Sequence, residues 1–249
     1  MQEKFRTLIH YLDPDEVFPN DIAEQEWLLR ALMNRRATQL ESAEFYALQD
    51  EVLQAQLARK GVLGLDDLDE IQPNLYLWQG DITRLQVDAI VNAANAYLLG
   101  CFQPVHACID NAIHSQAGLQ LRWACHQLME KQGHLEATGK AKITPAFNLP
   151  SAHVIHTVGP IIRGELSESD CALLAQSYRS CLEIALENGV QSIAFCCIST
   201  GEFRFPNQAA AEIAVREVKA FLRQHAHMKV VFNVFKEQDL RIYQQLLSA

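Results

Sequence analysis

From Leu75 onward, short apolar runs alternate with longer stretches of helical period, and no other feature constrains the fold as strongly. Residues 75–78, 87–91, 141–147, 153–158, 192–197 and 230–235 read as strands. Between them, Asp110 opens a helix carrying Ile113, Ala117, Leu121 and Ala124. Ser169 and Asp170 cap a second one, which ends at Gly189, and Pro206-Asn207 begins a third. A last helix covers residues 239–247. Strands that are apolar almost throughout and alternate with helices imply a sheet covered on both faces. Ligands bind such sheets beyond the carboxyl ends of the strands. The polar tails at 92–95 and 199–205, and Phe235 with Lys236, are therefore expected to converge on one crevice.

The first 70 residues follow a different pattern. Apolar residues recur at helical spacing (Leu8, Leu12, Ile22, Trp27, Leu28, Leu32, Met33, Leu40, Phe45, Leu48, Leu53, Leu57), and glycine is absent before Gly61. Asn20 or Asp21 caps a helix beginning at Ile22, and Ser42 caps another. About three helices are expected there, either packed on the main domain or serving as a docking surface. Residues 61–73, acidic and turn-rich, read as the linker, which divides the chain into a helical extension at 1–70 and a domain at 71–249.

The net charge of −9 argues against binding a nucleic-acid polymer, which needs many phosphate-neutralising Lys and Arg residues. It leaves room for a single nucleotide held by backbone N–H groups. The first 13 residues lack the apolar core of a signal peptide, and no apolar run is long enough to span a bilayer. Seven cysteines without regular pairing suit a reducing compartment. The expectation is a cytoplasmic protein with no membrane contact.

Cys101, His106 and Cys108 share one loop just ahead of the helix opened by Asp110. Two thiolates and an imidazole make a three-ligand set, the number found in zinc sites that keep a fourth position open. The spacing is not that of a standard zinc finger, so two structural cysteines beside a surface histidine is an equally direct reading. A zinc deaminase does not fit, because its His-x-Glu is here His106-Ala107-Cys108 and its Pro-Cys-x-x-Cys is missing. Cys125, Cys171, Cys181, Cys196 and Cys197 read as packing thiols, and His114, His153 and His156 as structural.

Five ordered motifs then point to a family. Gly80-Asp81-Ile82-Thr83, Ile90-Val91-Asn92-Ala93-Ala94-Asn95, Asp110-Asn111-Ala112-Ile113-His114, the run 152–160 and the run 199–206 together resemble the macrodomain over roughly residues 74–248. The resemblance implies a three-layer α/β/α fold with a mixed central sheet that binds ADP-ribose. Two departures stand out. The usual glycine-rich loop is replaced by the Cys101–Cys108 segment, and Arg204 stands where many relatives have glycine. The first departure, with the N-terminal extension, is similar to the zinc-dependent macrodomains, which hydrolyse ADP-ribose from proteins.

That likeness implies Zn2+ on Cys101, His106 and Cys108. It implies Asp81 on the exocyclic amine of adenine, with Ile82 offering a backbone N–H and Phe235 stacking on the base. Ser199, Thr200, Gly201, Glu202 and Phe203 would hold the diphosphate ahead of a helix N-terminus. Asn92 joins the binding set, and Asn95 and Asp110 are the catalytic pair at the distal ribose. Asp110 is also open to a plain reading as a helix cap. The implied activity is removal of mono-ADP-ribose from protein side chains, carboxylate-linked ones above all, and the implied partner a lipoyl-carrier protein modified by a sirtuin. A non-catalytic ADP-ribose reader with a structural zinc is the alternative, and a scaffold recruiting a partner through the extension is compatible with either.

Overall fold

The computed structural model describes residues 1–248. Three helices come first: α1 (Gln2–Leu12), α2 (Ile22–Arg35) and α3 (Ala43–Lys60). Asp21 caps α2 by accepting the N–H groups of Ala23 and Glu24, and Ser42 caps α3 through the N–H of Phe45. Phe5, Leu8, Leu29, Met33, Phe45 and Val52 build a core of their own, which Leu119 from the later domain joins. Three of the helical-period residues, Ile22, Trp27 and Leu40, face solvent instead.

The segment after α3 is more than a linker. β1 (Leu63–Gly64) pairs in parallel with the short β4 (Leu85–Gln86), and β2 (Glu70–Gln72) is the antiparallel edge of the main sheet beside β3 (Leu75–Gln79). The boundary near residue 70 thus falls inside paired backbone.

The remaining elements are β5 (Ala89–Ala93), α4 (Ile109–Ala117), α5 (Leu119–Gln132), β6 (Ala141–Pro145), β7 (His153–Thr157), α6 (Glu168–Glu187), β8 (Ser192–Phe195), α7 (Asn207–Leu222), β9 (Lys229–Val234) and α8 (Glu237–Ser248). The seven-stranded sheet has the order β2-β3-β9-β8-β5-β7-β6. Its five central strands are parallel and both edges antiparallel, so the sheet is mixed as expected. Helices α6, α7 and α8 pack side by side, while α4 and α5 pack with each other against β5 and β6. Ile90, Val91, Val154, Ile193, Val230 and Val231 are fully buried, which accounts for the unbroken apolar runs in their strands.

Two local expectations change. The helix opened near Asp110 breaks at Gly118, whose φ of +94° is a conformation that few other residues adopt, and so becomes α4 and α5. The capping box of α6 is Ser167 with Asp170, two residues ahead of Ser169. Among the described residues, no helix is long and apolar enough to cross a membrane.

Candidate functional site

Because the central strands run parallel, their carboxyl ends lie along one rim. β3 leads there into Gly80-Asp81, β9 into Phe235, β8 into the loop through Phe205, and β5 into Ala94-Asn95. The expected tails therefore share one edge of the sheet.

At the β3–β9 end, Gln79 lies opposite Val234, which makes Asp81 and Phe235 near neighbours beyond the strands. Phe235 is 76% exposed, a large apolar face left open. Asp81 caps a short turn, and its Oδ1 accepts both the N–H (3.0 Å) and the hydroxyl (2.6 Å) of Thr83. Only Oδ2 remains for a ligand, with Lys60 Nζ of α3 3.7 Å away. The side chain of Ile82 is buried, so this residue can offer only backbone.

The loop after β8 turns tightly. The N–H of Arg204 donates to the Gly201 carbonyl at 3.0 Å, and that of Phe205 to Ser199 at 2.9 Å. Among the described residues, no carbonyl or side chain accepts the N–H groups of Gly201, Glu202 and Phe203. They precede α7 by a few residues, an arrangement suited to an anion. Ser199 and Arg204 have φ of 67° and 59°, left-handed values that glycine adopts most readily. Ser199 Oγ is buried without a partner, against Gly159, where even a Cβ would collide with it.

At the β5 end, Asp110 is 5% exposed and lies in the first turn of α4. It is not the cap. Cys108 is, its Sγ accepting the Asn111 N–H at 3.4 Å. Asp110 Oδ1 instead accepts the amide of Asn92 at 2.8 Å, and Oδ2 that of Asn95 at 3.2 Å. Each oxygen keeps a lone pair for a further donor. Burial raises the Asp110 carboxyl to about 6, the amide donors of Asn92 and Asn95 and the charge of Arg122 pulling the other way. Asn92 is fully buried and reaches the crevice only through Asp110. Below it, Asn92 Nδ2 lies 3.2 Å from Nδ1 of His156, whose Nε2 is 3.0 Å from Thr144 Oγ1. Burial takes His156 down to about 3 and pulls His114 down as well.

Beside this cluster, the ligand atoms of Cys101, His106 and Cys108 lie within 4.8 Å of one another. The Cys101 Sγ to His106 Nδ1 distance is 3.6 Å. Tetrahedral zinc with ordinary Zn–S and Zn–N bonds puts two such ligands about 3.5 Å apart, so the trio fits the metal. The other imidazole nitrogen, Nε2, lies 3.7 Å from Glu202 of the loop after β8, where the carboxylate could serve as an outer partner if His106 held a metal. Burial, then the neighbouring Cys101, pushes the Cys108 thiol up to about 12, and a bound cation would oppose that shift.

Similarity to known proteins is extensive. The Macro domain model matches residues 91–214. A protein-ADP-ribose hydrolase of Treponema medium is 57% identical over 92% of this chain and 90% of its own length. A namesake from Staphylococcus aureus is 48% identical over 93% and 88%. This chain belongs to the macrodomain family. The Treponema match, at 92% of the chain, must include most of the N-terminal helices. Among solved structures, a macrodomain of Trypanosoma brucei in complex with ADP-ribose has a TM-score of 0.68 and 32% identity, covering 84% of this chain and 92% of that one. An Oceanobacillus iheyensis macrodomain with ADP has a TM-score of 0.66 and 38% identity, covering 73% and 94%.

Several residues of this macrodomain's site escape a sequence reading. Arg30 and Asn34 of α2, Asn111 of α4 and Arg122 of α5 hold the Cys101–Cys108 loop and its surroundings. Asn111 sits inside a quoted motif, but nothing local marks an asparagine or arginine within a helix as a loop anchor.

Proposed function

We propose that the protein is a zinc-dependent hydrolase that releases mono-ADP-ribose from modified protein side chains, carboxylate esters above all, in the cytoplasm. Relatives named protein-ADP-ribose hydrolase, at 48% and 57% identity, support the activity. The observation that carries the zinc-dependent reading is the placement of the Cys101, His106 and Cys108 ligand atoms beside the buried Asp110, two residues from Cys108 on the same helix start. A lipoyl-carrier protein modified by a sirtuin is the target carried by the family resemblance alone.

In this reading Asp81 Oδ2 accepts the adenine amine and Phe235 covers the base. The free N–H groups of Gly201, Glu202 and Phe203 hold the diphosphate, flanked by Ser199 and Thr200. Asn95 and Asp110 face the distal ribose, and Asn92 holds Asp110 from below. Asp110 orients a water and takes its proton as the water oxygen bonds to the anomeric carbon and the bond to the acceptor carboxylate breaks. Zinc, when bound, would supply positive charge for the distal ribose or water; with two thiolates cancelling its charge, it is a mild Lewis acid. The helical segment 1–70 then serves the domain at 71–249.

The deciding measurement is single-turnover release of ADP-ribose from a carboxylate-modified protein, before and after chelation, alongside calorimetric affinity for free ADP-ribose. Release that disappears on chelation and returns with zinc supports the reading. Tight binding without release makes the protein a reader, and release indifferent to chelation removes zinc from the reaction.

A further inference from the structure

The Cys101–Cys108 loop has little structure of its own. Gln103 and Pro104 are exposed, and Val105 sits at φ 52°, a left-handed value that is a true outlier for a β-branched residue. Something outside the loop must hold it there. The holding groups come largely from the N-terminal helices. Asn34 of α2 is 1% exposed, and its Oδ1 accepts the Val105 N–H at 2.9 Å and Asn111 Nδ2 at 3.0 Å. Its own Nδ2 donates to Ser115 Oγ at 2.9 Å. Asn111 in turn donates to the carbonyls of Gln103 (3.0 Å) and Cys101 (3.3 Å). Arg30, one turn earlier on α2, donates to Asn111 Oδ1 at 2.7 Å and to the His106 carbonyl at 3.3 Å.

A second clamp closes from beneath. Arg122 is 3% exposed and is bonded to carbonyls rather than to a carboxylate. It donates to Met33, Asn34 and Arg36 at the end of α2 and to Leu99 ahead of the loop. A cation suits the carbonyl end of a helix. The same guanidinium lies 4.3 Å from the ring of Phe102.

We propose that α2 is a structural part of the metal site, with Asn34 and Arg30 as positioning residues for the Cys101–His106–Cys108 ligands. The backbone of Cys101 and His106, two of the three, is bonded directly to this network, and Cys108 caps the helix that carries Asn111. Losing an outer partner of a metal ligand typically lowers metal affinity about 10- to 100-fold. The inference rests on the reading of Cys101, His106 and Cys108 as the metal ligands.

The test uses the full chain with Asn34→Ala, Arg30→Met and, as a control, Ile22→Ala, at the solvent-facing start of the same helix. Zinc affinity is measured by competition with a chromophoric chelator, and amide hydrogen exchange at Val105 is followed in the metal-free protein. Asn34→Ala and Arg30→Met are expected to bind zinc about 10- to 100-fold more weakly. Asn34→Ala should also exchange Val105 faster, while Ile22→Ala leaves both unchanged. Wild-type zinc affinity and Val105 protection in both Asn34→Ala and Arg30→Met would overturn the proposal, as would equal losses in Ile22→Ala. If the wild type binds no zinc, the metal reading fails by itself, and the exchange at Val105 still decides whether α2 holds the loop. Should Asn34→Ala not fold, Arg30→Met, whose side chain is only half-buried, carries the comparison.

Discussion

The side-chain amide of Asn92, at the end of β5, donates to Oδ1 of Asp110 at 2.8 Å, tying the sheet to the first turn of α4. Asn92 is fully buried and Asp110 nearly so, which holds the carboxylate rigid in a position it would not choose by solvation. The pair separates two consequences of changing Asp110.

Asp110→Ala is expected to lower single-turnover release of ADP-ribose by about 10²-fold or more, the scale of lost acid–base help. Calorimetric affinity for free ADP-ribose should change by less than about tenfold, or ~1.4 kcal/mol. The variant also strands the buried amide of Asn92, so a stability loss of about 1–3 kcal/mol is expected in urea unfolding. Full turnover in this variant would transfer the base to another group.

Removal of Cys108 has a double effect if it holds the proposed zinc, because its sulfur also caps α4. Elemental analysis of the purified wild type is expected to find about one zinc per chain, and Cys108→Ala should abolish it. Cys108→Ser restores a cap oxygen, so it should recover stability without recovering zinc.

Asp81 has a single oxygen, Oδ2, free for a ligand donor, near Lys60. Asp81→Ala should weaken ADP-ribose by about 1–3 kcal/mol in calorimetry, the range for a hydrogen bond to a charged group. Unchanged affinity would place the adenine elsewhere.

His156 sets a pH dependence of stability. Its folded pKa lies near 3, below the ~6.5 of an unfolded histidine. A depressed value means that the unfolded chain binds the proton first. The contribution is complete above about pH 6.5 and is lost as pH falls toward 3, at ~1.4 kcal/mol per pH unit. His114, also pulled down by burial, acts in the same direction. Urea unfolding should therefore show a drop of about 2 kcal/mol or more between pH 6.5 and 5, and His156→Gln should flatten that slope. An unaltered slope would mean that His156 does not titrate on unfolding in this range.

The sequence by itself determined the layered fold, since a strand buried on both faces must be apolar throughout and a helix on the sheet must repeat its apolar face. It also determined which tails meet, because parallel strands put their carboxyl ends on one rim. Cys101, His106 and Cys108 were legible for a simpler reason: eight residues of chain cannot separate them far. Tertiary structure alone decided what each side chain does there. Asp110 is open in the sequence to both a cap and a catalytic reading; the cap is Cys108, and the carboxylate is taken up by Asn92 and Asn95. The stretch before β3 reads as a linker, yet it supplies an edge strand. Asn34 and Val105 are 71 residues apart, and their contact leaves no periodicity or motif in either segment. Hydrogen bonds between distant segments depend on how α2 docks against α4, and a local pattern records only which face of a helix is buried, not which polar group it meets.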